Sequence, residues 1–318
     1  MNLDNVEITY TPKTNGVFER KNAGQEENDA VTGFVPDSII VALAADYPNG
    51  FTFDTTAVRL LSEKSGVEVD GNIQTALKRL MFRRNDALYF LLDVVAAAKT
   101  RKDIIDFADM LLDDYGCFEI RELYALFDSL NEKCVDGLEH FEAFYNFINK
   151  RDVRCVTHYG TRIARVQNKG IHSLFADIAQ KIISITHNEF GGVISEDDLR
   201  ERFPGFGAGL LAHIIKEHAE ALVKTKINGI VCYQTLDALG LSDEFSDTLA
   251  ETLSEIDGIG LAPSEEVLHT ALSLRMGLNF KAEYNIPDDT TFRRVIAAYY
   301  QEAPQRAWNR GVFAEARD

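Results

Sequence analysis

The sequence lacks the features of several protein classes. Its 318 residues include only four cysteines and no C-x-x-C pair, so neither a disulfide framework nor a zinc knuckle is indicated. No apolar run approaches the roughly 20 residues of a membrane-spanning helix. The first residues are polar and acidic, without the basic start and apolar run of a signal peptide. These absences predict a globular protein of the cytoplasm.

Catalytic motifs are also missing. There is no G-x-S-x-G and no H-E-x-x-H, and the glycine-rich stretch 205–209 is not followed by the Lys-Ser/Thr of a phosphate loop. His213 and His218 lie five positions apart, which places them on different faces of a helix. We therefore expect no enzyme activity, no metal and no cofactor. The seven histidines are scattered along the sequence, and each is expected to be a buried or solvated residue: His140, His158, His172, His187, His213, His218 and His269.

Positive charge is scarce overall but locally concentrated. The chain has 33 Lys and Arg against 50 Asp and Glu, a net charge of −17, which disfavours sequence-independent attraction to nucleic acid or an anionic membrane. Any nucleic-acid contact must come from two short basic runs, although such runs can also be plain solvated faces. The runs are Lys78, Arg79, Arg83 and Arg84, and Lys150, Arg151, Arg154, Arg162, Arg165 and Lys169.

One pattern occurs four times along the chain: a glycine, a short β-type stretch, a capping or acidic residue, and a helix with apolar periodicity. The copies begin at Gly50, Gly116, Gly192 and Gly258, which lie 66, 76 and 66 residues apart. One helix is predicted before each copy and another after it. The preceding helices are predicted at 36–47, 87–115, 171–190 and 242–256, and the following ones at 72–80, 138–148, 209–222 and 291–300.

Alternating segments with short turns follow three of these second helices. Residues 223–234 turn at Asn228-Gly229, the strongest short-range signal for a β-hairpin. We therefore predict small antiparallel sheets beside the helices. The other predicted hairpins are 153–166, turning at Tyr159-Gly160, then 80–90, turning at Asn85-Asp86, and a looser version at 306–314.

This order of helix, short strand, helix, turn, helix and hairpin resembles the winged helix-turn-helix superfamily. The resemblance lies in element order and turn chemistry, and it selects no particular family within the superfamily. It implies a mainly α (α+β) chain of tandem winged-helix domains with small antiparallel β-wings. The predicted parts are a flexible N-terminal segment at 1–35 and four units at 36–93, 94–168, 169–238 and 239–318.

Four helix–glycine–strand–helix units in an acidic chain also suggest calcium-binding EF hands. That loop needs oxygen ligands at positions 1, 3, 5 and 12 around a glycine at position 6. With Gly260 as that glycine, Ile259 occupies position 5, and the loops around Gly116 and Gly192 lack ligands as well. Calcium binding is therefore the weaker alternative.

The resemblance implies that the third helix of each unit enters the major groove and that the wing contacts phosphate or the minor groove. In unit one the periodicity buries Ile73 and Leu77 and leaves side chains outside that can pair with adenine and guanine. In unit two the third helix carries Glu139 and Glu142, but the wing is basic, which positions DNA without reading it. The predicted contacts to double-stranded DNA are Asn72, Gln74, Thr75, Lys78, Arg79, Arg83, Arg84, Lys150, Arg151, Arg154, Arg162 and Arg165.

Unit four combines arginine with aromatic residues, which suits a base-stacking surface or a protein interface. Residues 237–290 beside it carry a net charge of −10, which favours an interface with a protein partner or a second copy of the chain. Two functions are therefore expected: a DNA-binding transcriptional or replication-associated regulator, or a non-enzymatic interaction scaffold with acidic faces. The predicted partner-binding residues are Arg293, Arg294, Tyr299, Tyr300, Arg306, Trp308 and Arg310.

Overall fold

The computed structural model describes residues 34–127, 129–241, 244–260 and 264–300. Within these ranges the chain is α+β, with many helices and three small antiparallel sheets. None of the helices described is long and apolar enough to cross a membrane. Nearly all of the predicted N-terminal segment and the whole predicted hairpin at 306–314 lie outside the described residues.

The first segment, residues 34–90, is built from three helices and three short strands. The Asp54 carboxylate caps the second helix by accepting from the N–H of Ala57 at 2.9 Å, and Asp70 caps the third in the same way from Ile73 at 2.8 Å. The elements are α1 (Asp37–Asp46), β1 (Phe51–Thr52), α2 (Thr55–Ser65), α3 (Gly71–Leu80), β2 (Phe82–Arg83) and β3 (Leu88–Phe90).

The second segment, residues 92–166, begins later than the apolar periodicity predicts. The helix predicted at 87–115 is wrong at its start, because Leu88–Phe90 pair with β1 and β2 instead, and strand pairing prevails over helical periodicity there. The elements are α4 (Leu92–Val95), α5 (Ala98–Tyr115), β4 (Cys117–Glu119), α6 (Ile120–Ala125), α7 (Leu138–Ile148), β5 (Val153–His158) and β6 (Thr161–Val166).

The third segment, residues 171–239, repeats the order of the first. The helix predicted at 209–222 ends early, at His218, because Leu222 is already paired with Thr235 in a hairpin. Asn228 and Gly229 form the predicted turn, with φ of 51° and 86°. The elements are α8 (Ile171–Asn188), β7 (Val193–Ser195), α9 (Glu196–Arg202), α10 (Ala208–His218), β8 (Leu222–Ile227) and β9 (Ile230–Thr235), followed by a 3₁₀ turn at Asp237–Leu239.

The fourth segment, residues 245–300, is helical where it is described. A β-type stretch was expected to begin at Gly258, but Gly258 is the last residue of a helix, and Ser264 caps the next one by accepting from the N–H of Val267 at 3.3 Å. No strand occurs in the described residues of this segment. The elements are α11 (Phe245–Gly258), α12 (Glu265–Met276), α13 (Phe280–Glu283) and α14 (Asp289–Tyr300).

The three sheets share one strand order. In each, the strand that precedes the hairpin in the chain pairs with the last strand of the hairpin, giving β1-β3-β2, β4-β6-β5 and β7-β9-β8. All the pairings are antiparallel. The sheets therefore confirm the predicted hairpins at 80–90, 153–166 and 223–234, and each hairpin also gains a third strand.

The described residues form two compact units. The first contains the described residues up to 109 together with 123–151, and the second contains 110–122 together with the described residues from 152 onward. This division falls within 94–168, so α5 and α6 each contribute residues to both units. The boundaries of four separate domains stay a prediction.

Each sheet packs on helices of the segment that follows it. Phe82 of β2 lies with its ring centroid 5.4 Å from that of Phe144 on α7, in an edge-to-face arrangement. Ile163 of β6 is buried in one core with α8 and α10, and Val223 of β8 in another with α11 and α14. Because burying side chains of this size contributes about 1.5–3 kcal/mol each, the sheets join neighbouring segments rather than project freely.

Candidate nucleic-acid interface

Helix α3 presents the most suitable surface for DNA. Asn72, Thr75, Lys78 and Arg79 are exposed, whereas Leu77 is fully buried on the opposite side. Steps of three and four residues align Asn72, Thr75 and Arg79 along the helix, with Lys78 beside them. We call these four residues the α3 face. Because the sequence of α3 contains no acidic residue, the α3 face is positively charged.

One predicted member of this surface is directed elsewhere. The side-chain amide of Gln74 donates to the main-chain oxygen of Val69 at 3.2 Å, so it holds the start of the helix instead of facing a groove. The Lys78 ammonium lies 4.9 Å from the ring centroid of Phe53, a cation–π contact on the exposed surface. Within the described part of the chain, Arg79 makes no ion pair.

The first hairpin uses its two arginines for internal contacts. Arg83 donates to the Asp86 carboxylate at 2.8 Å. Arg84 pairs with Asp136 of the second segment and donates to the main-chain oxygen of Lys133 at 2.8 Å. The hydrogen bond from Arg84 lowers the pKa of Asp136, and the nearby positive charge adds to the effect. Both arginines therefore pair with carboxylates of the chain itself, and Arg84 fastens the hairpin to the next segment.

The second basic run is divided between the two compact units. Lys150 and Arg151 belong to the first unit, where Lys150 is exposed and Arg151 lies 3.4 Å from the Asp109 carboxylate. The remaining three arginines of this run lie on the β5–β6 hairpin, in the second unit.

On the β5–β6 hairpin, Arg154 and Arg165 face each other directly across the two strands. Like charges at such a position destabilise a sheet unless they are compensated. Arg165 donates to the main-chain oxygen of Lys169 at 2.6 Å, which satisfies one of the two guanidinium groups. Arg154 is exposed and Arg162 is half-buried. Of the three, Arg154 alone projects fully into solvent.

Three of the predicted partner-binding residues make contacts within the second unit. Arg293 pairs with Glu265 at 2.6 Å, and the Tyr299 hydroxyl lies 3.4 Å from the main-chain oxygen of Leu236, to which it donates. Arg294 donates to two main-chain oxygens at the C-terminal end of α10, at 2.7 and 3.2 Å. The structure thus describes internal contacts for these three residues. Tyr300 is half-buried, and Arg306, Trp308 and Arg310 lie outside the described residues.

The glycine-rich stretch 205–209 leads into α10, and the chain itself supplies an anion there. The Glu119 carboxylate is buried, with 6% of the residue exposed, and it accepts from the N–H of Gly207 and from the hydroxyl of Thr161, both at 2.5 Å. A helix N-terminus stabilises negative charge, and at the start of α10 the Glu119 carboxylate already provides that charge. The sequence pattern of glycines did not indicate Glu119 as the partner.

Four histidines meet at the tip of the β5–β6 hairpin. The ring centroids of His158 and His172 are 5.4 Å apart, and those of His172 and His218 are 6.2 Å apart. Tyr159 lies over His213 with 3.7 Å between ring centroids. These histidines are scattered along the sequence, but the hairpin tip, the start of α8 and helix α10 bring them close together. The four histidines with Tyr159 are called the histidine cluster below.

A cleft of about 530 Å³ lies beside the start of α12. Its charged side chains are largely paired with each other: Lys281 binds Asp289, and Glu265 binds Arg293. Such internal pairing leaves few groups to recognise a ligand. The cleft is lined by Ser264, Glu265, Glu266, His269, Lys281 and Asp289.

Among the described residues, no three His, Cys, Asp or Glu side chains are arranged to hold a metal ion. Neither the family models nor the curated proteins compared with this chain match it.

Proposed function

We propose that this chain is a tandem winged-helix protein that contacts double-stranded DNA through the α3 face. The shared order of helices and strands in the first three segments supports the winged-helix architecture. The observation that carries the DNA proposal is the charge of α3. Among the third helices α3, α7, α10 and α14, α3 has basic residues and no acidic one.

The positions on α3 suit the reading of a major groove. A helix-turn-helix consists here of α2 and α3, and residues near the N-terminus of its second helix, α3, would contact base edges. Asn72 and Thr75 occupy that end, where asparagine pairs with adenine and the threonine methyl contacts thymine. Arg79 lies one turn beyond Thr75, where its guanidinium reaches guanine or phosphate, and Lys78 adds a second positive charge.

The other third helices are less suited to this role. Helix α7 carries Glu139 and Glu142, which phosphate would repel. Helix α10 is partly covered, because the Tyr159 ring packs against His213 and Arg294 closes its C-terminal end. We therefore limit the DNA contact to the α3 face, with the remaining segments acting as support.

The salt dependence of binding tests the size of this contact. Each neutralised phosphate contributes about −0.9 to the slope of log K against log salt, so Lys78 and Arg79 together predict a slope near −2. Fluorescence anisotropy with random double-stranded DNA between about 50 and 200 mM salt measures it. Absence of binding at the lowest salt would contradict the proposal.

A matched pair of double variants locates the contact. Lys78→Ala with Arg79→Ala should weaken binding and reduce the slope by about 2. Lys99→Ala with Lys102→Ala removes the same charge from exposed positions on α5 and should leave both quantities unchanged. Equal losses in the two variants would mean that overall charge, not the α3 face, governs binding.

A protein-interaction scaffold is the second candidate, and the packing of the sheets favours it. Each sheet is covered by the following segment, and the acidic fourth segment exposes Ile259 and Leu274, at 70% and 78%. Exposed apolar side chains among acidic ones suit a partner with a basic rim and an apolar centre. A folded protein that binds no DNA at low salt would favour this candidate over the first.

A further inference from the structure

The tip of the β5–β6 hairpin docks on α10 and α8. The Tyr159 ring lies 3.7 Å from the His213 ring and 6.3 Å from that of Phe175, measured between centroids. His158, the last residue of β5, lies 5.4 Å from His172 at the start of α8. Because all these residues belong to the second compact unit, the docking is an internal contact of that unit.

The backbone of the turn shows that this docking has a structural cost. Tyr159 has a φ of +49°, in the left-handed region that bulky side chains rarely adopt. In the β8–β9 hairpin the corresponding position is Asn228, with a φ of +51°, and asparagine tolerates this conformation. The turn at Tyr159 is therefore held by tertiary contacts more than by its own sequence.

Two ring nitrogens of the cluster lie where a charged imidazolium is unfavourable. Nε2 of His158 and Nε2 of His213 are both buried and have no hydrogen-bond partner. The charged imidazolium carries an N–H on both ring nitrogens, so protonation would place a positively charged N–H at buried Nε2 without an acceptor, next to other imidazoles. The described packing therefore favours the neutral form of His158 and His213.

The charged groups around the cluster lie on several elements. On α10, Lys216 pairs with Glu217 at 3.7 Å, and Glu217 opposes the loss of charge on His213. Arg294 of α14 lies near the same glutamate. Burial lowers the pKa of His158, and the charges of His172 and His213 lower it further.

The surroundings of His213 also lower its pKa. Burial lowers its pKa, Glu217 raises it, and His218, Lys216 and His172 lower it again. A folded-state pKa below the unfolded value means that the neutral histidine stabilises the docked state above about pH 6.5, and that this stabilisation is lost as pH falls.

We propose that the histidine cluster is an acid-sensitive latch that holds the β5–β6 hairpin tip on α10 at neutral pH and releases it when His158 and His213 are protonated. Release frees Tyr159 from His213 and uncovers this side of α10. It also loosens the hairpin that carries Arg154, Arg162 and Arg165. The proposal does not depend on DNA binding by the α3 face.

Hydrogen exchange of the full chain, read by mass spectrometry, tests the latch. Exchange at 153–166 is compared between about pH 7.5 and pH 5.5 after correction for the intrinsic rate. If opening is coupled to the uptake of one proton, the exchange rate should increase by up to about tenfold for each unit by which the pH falls. With two protons the increase should be steeper. The β8–β9 hairpin at 222–235 is the internal control and should change much less. Equal changes in the two hairpins, or none at 153–166, would overturn the latch.

Variants separate protonation from general loosening. His158→Gln with His213→Gln should flatten the pH dependence at 153–166, whereas His187→Gln, exposed at the end of α8, should retain it. Tyr159→Asn should increase exchange at the tip even at neutral pH, because it removes the ring that docks. A double variant with unchanged pH dependence would contradict the proposal.

Two measurements on the wild-type chain keep the test decisive if the double variant does not fold. In an NMR titration, His158 and His213 should titrate below the ordinary histidine value of about 6.5, and titration at or above it would overturn the latch. Exchange is also compared with zinc chloride and with EDTA. Slower exchange at 153–166 with zinc would identify a metal site instead of the latch.

Discussion

The guanidinium of Arg294 on α14 donates to the main-chain oxygen of Ala219 at 2.7 Å, one residue beyond the end of α10. A second hydrogen bond, of 3.2 Å, reaches the oxygen of Ile215. The last carbonyls of a helix have no partner within the helix, and a positive charge at that end also interacts favourably with the helix dipole. Arg294 therefore joins the third and fourth segments through the backbone of α10.

Replacing Arg294 by alanine should destabilise the second unit by about 1.5–3 kcal/mol, the usual contribution of charged hydrogen bonds. Arg293→Ala is the matched control, because it breaks a more exposed pair with Glu265 worth at most about 1 kcal/mol. Thermal unfolding followed by circular dichroism compares the two variants. Equal unfolding temperatures would refute the role of Arg294.

Two glycines with positive φ should respond differently to alanine. At Gly50, with a φ of +100°, a Cβ would lie 2.6 Å from Cδ1 of Leu88, whereas at Gly66, with a φ of +68°, a Cβ meets nothing within 4 Å. Gly50→Ala combines strain with overpacking and should cost about 2–4 kcal/mol. Gly66→Ala should cost about 1–2 kcal/mol, from strain alone. Urea unfolding of both variants measures the difference, and similar costs would contradict the clash at Gly50.

The half-buried carboxyl group of Glu122 should respond to the charge of the buried Glu119. Burial raises the pKa of Glu122, and the charge of Glu119 raises it further. Glu119→Gln should therefore lower the pKa of Glu122 toward its usual value without restoring it fully, because the burial remains. A carbon-13 NMR titration of Glu122 measures this, and an unchanged pKa would show that the two carboxyl groups do not interact.

The raised Glu122 pKa also has a consequence for stability. The folded chain binds this proton more readily than the unfolded chain, so the contribution of Glu122 to stability falls as pH rises through its folded pKa. Glu119→Gln should reduce that fall. Urea unfolding at several pH values between about 4 and 7 detects the change, and parallel stability curves for the two chains would argue against it.

Two cysteines should be inert in the native state. Burial raises the pKa of Cys117 to about 12 and that of Cys134 to about 11. Because only the thiolate is reactive, iodoacetamide at about pH 8 should modify neither thiol in the folded protein and both in denaturant. Peptide mass spectrometry measures the labelling. Fast native labelling of Cys117 would be inconsistent with its burial beneath α8.

Local chemistry explains which parts of the fold could be predicted from sequence. The Asn228-Gly229 turn was predictable because positive φ at both positions is a property of those residue types. The helix predicted at 138–148 begins and ends as expected, because its apolar periodicity is uninterrupted. The strand at 88–90 was missed within a predicted helix, because its pairing with Phe51 and Phe82 depends on distant residues.

The candidate site was only partly predictable for the same reason. The exposed positions of α3 follow from helical periodicity, and Asn72, Thr75, Lys78 and Arg79 are indeed exposed. The ion pair of Arg84 joins residues 52 positions apart, so no local pattern could have shown that this charge is used internally. The convergence of four histidines from three elements is equally non-local. A tyrosine at a hairpin position that favours asparagine or glycine was the one local signal that pointed to it.

The strand order of the sheets also governs how the protein is made. Val193 pairs with Gln234, so β7 acquires its neighbour only about 40 residues later in synthesis. Until then the helices of the segment can form, but its sheet cannot close. Each sheet is in turn covered by the next segment. During synthesis, the segment that has most recently emerged from the ribosome therefore stays sensitive to proteolysis until the next one has been made. A pause in translation just before β9 should therefore leave the third segment unfinished, while the first is already complete.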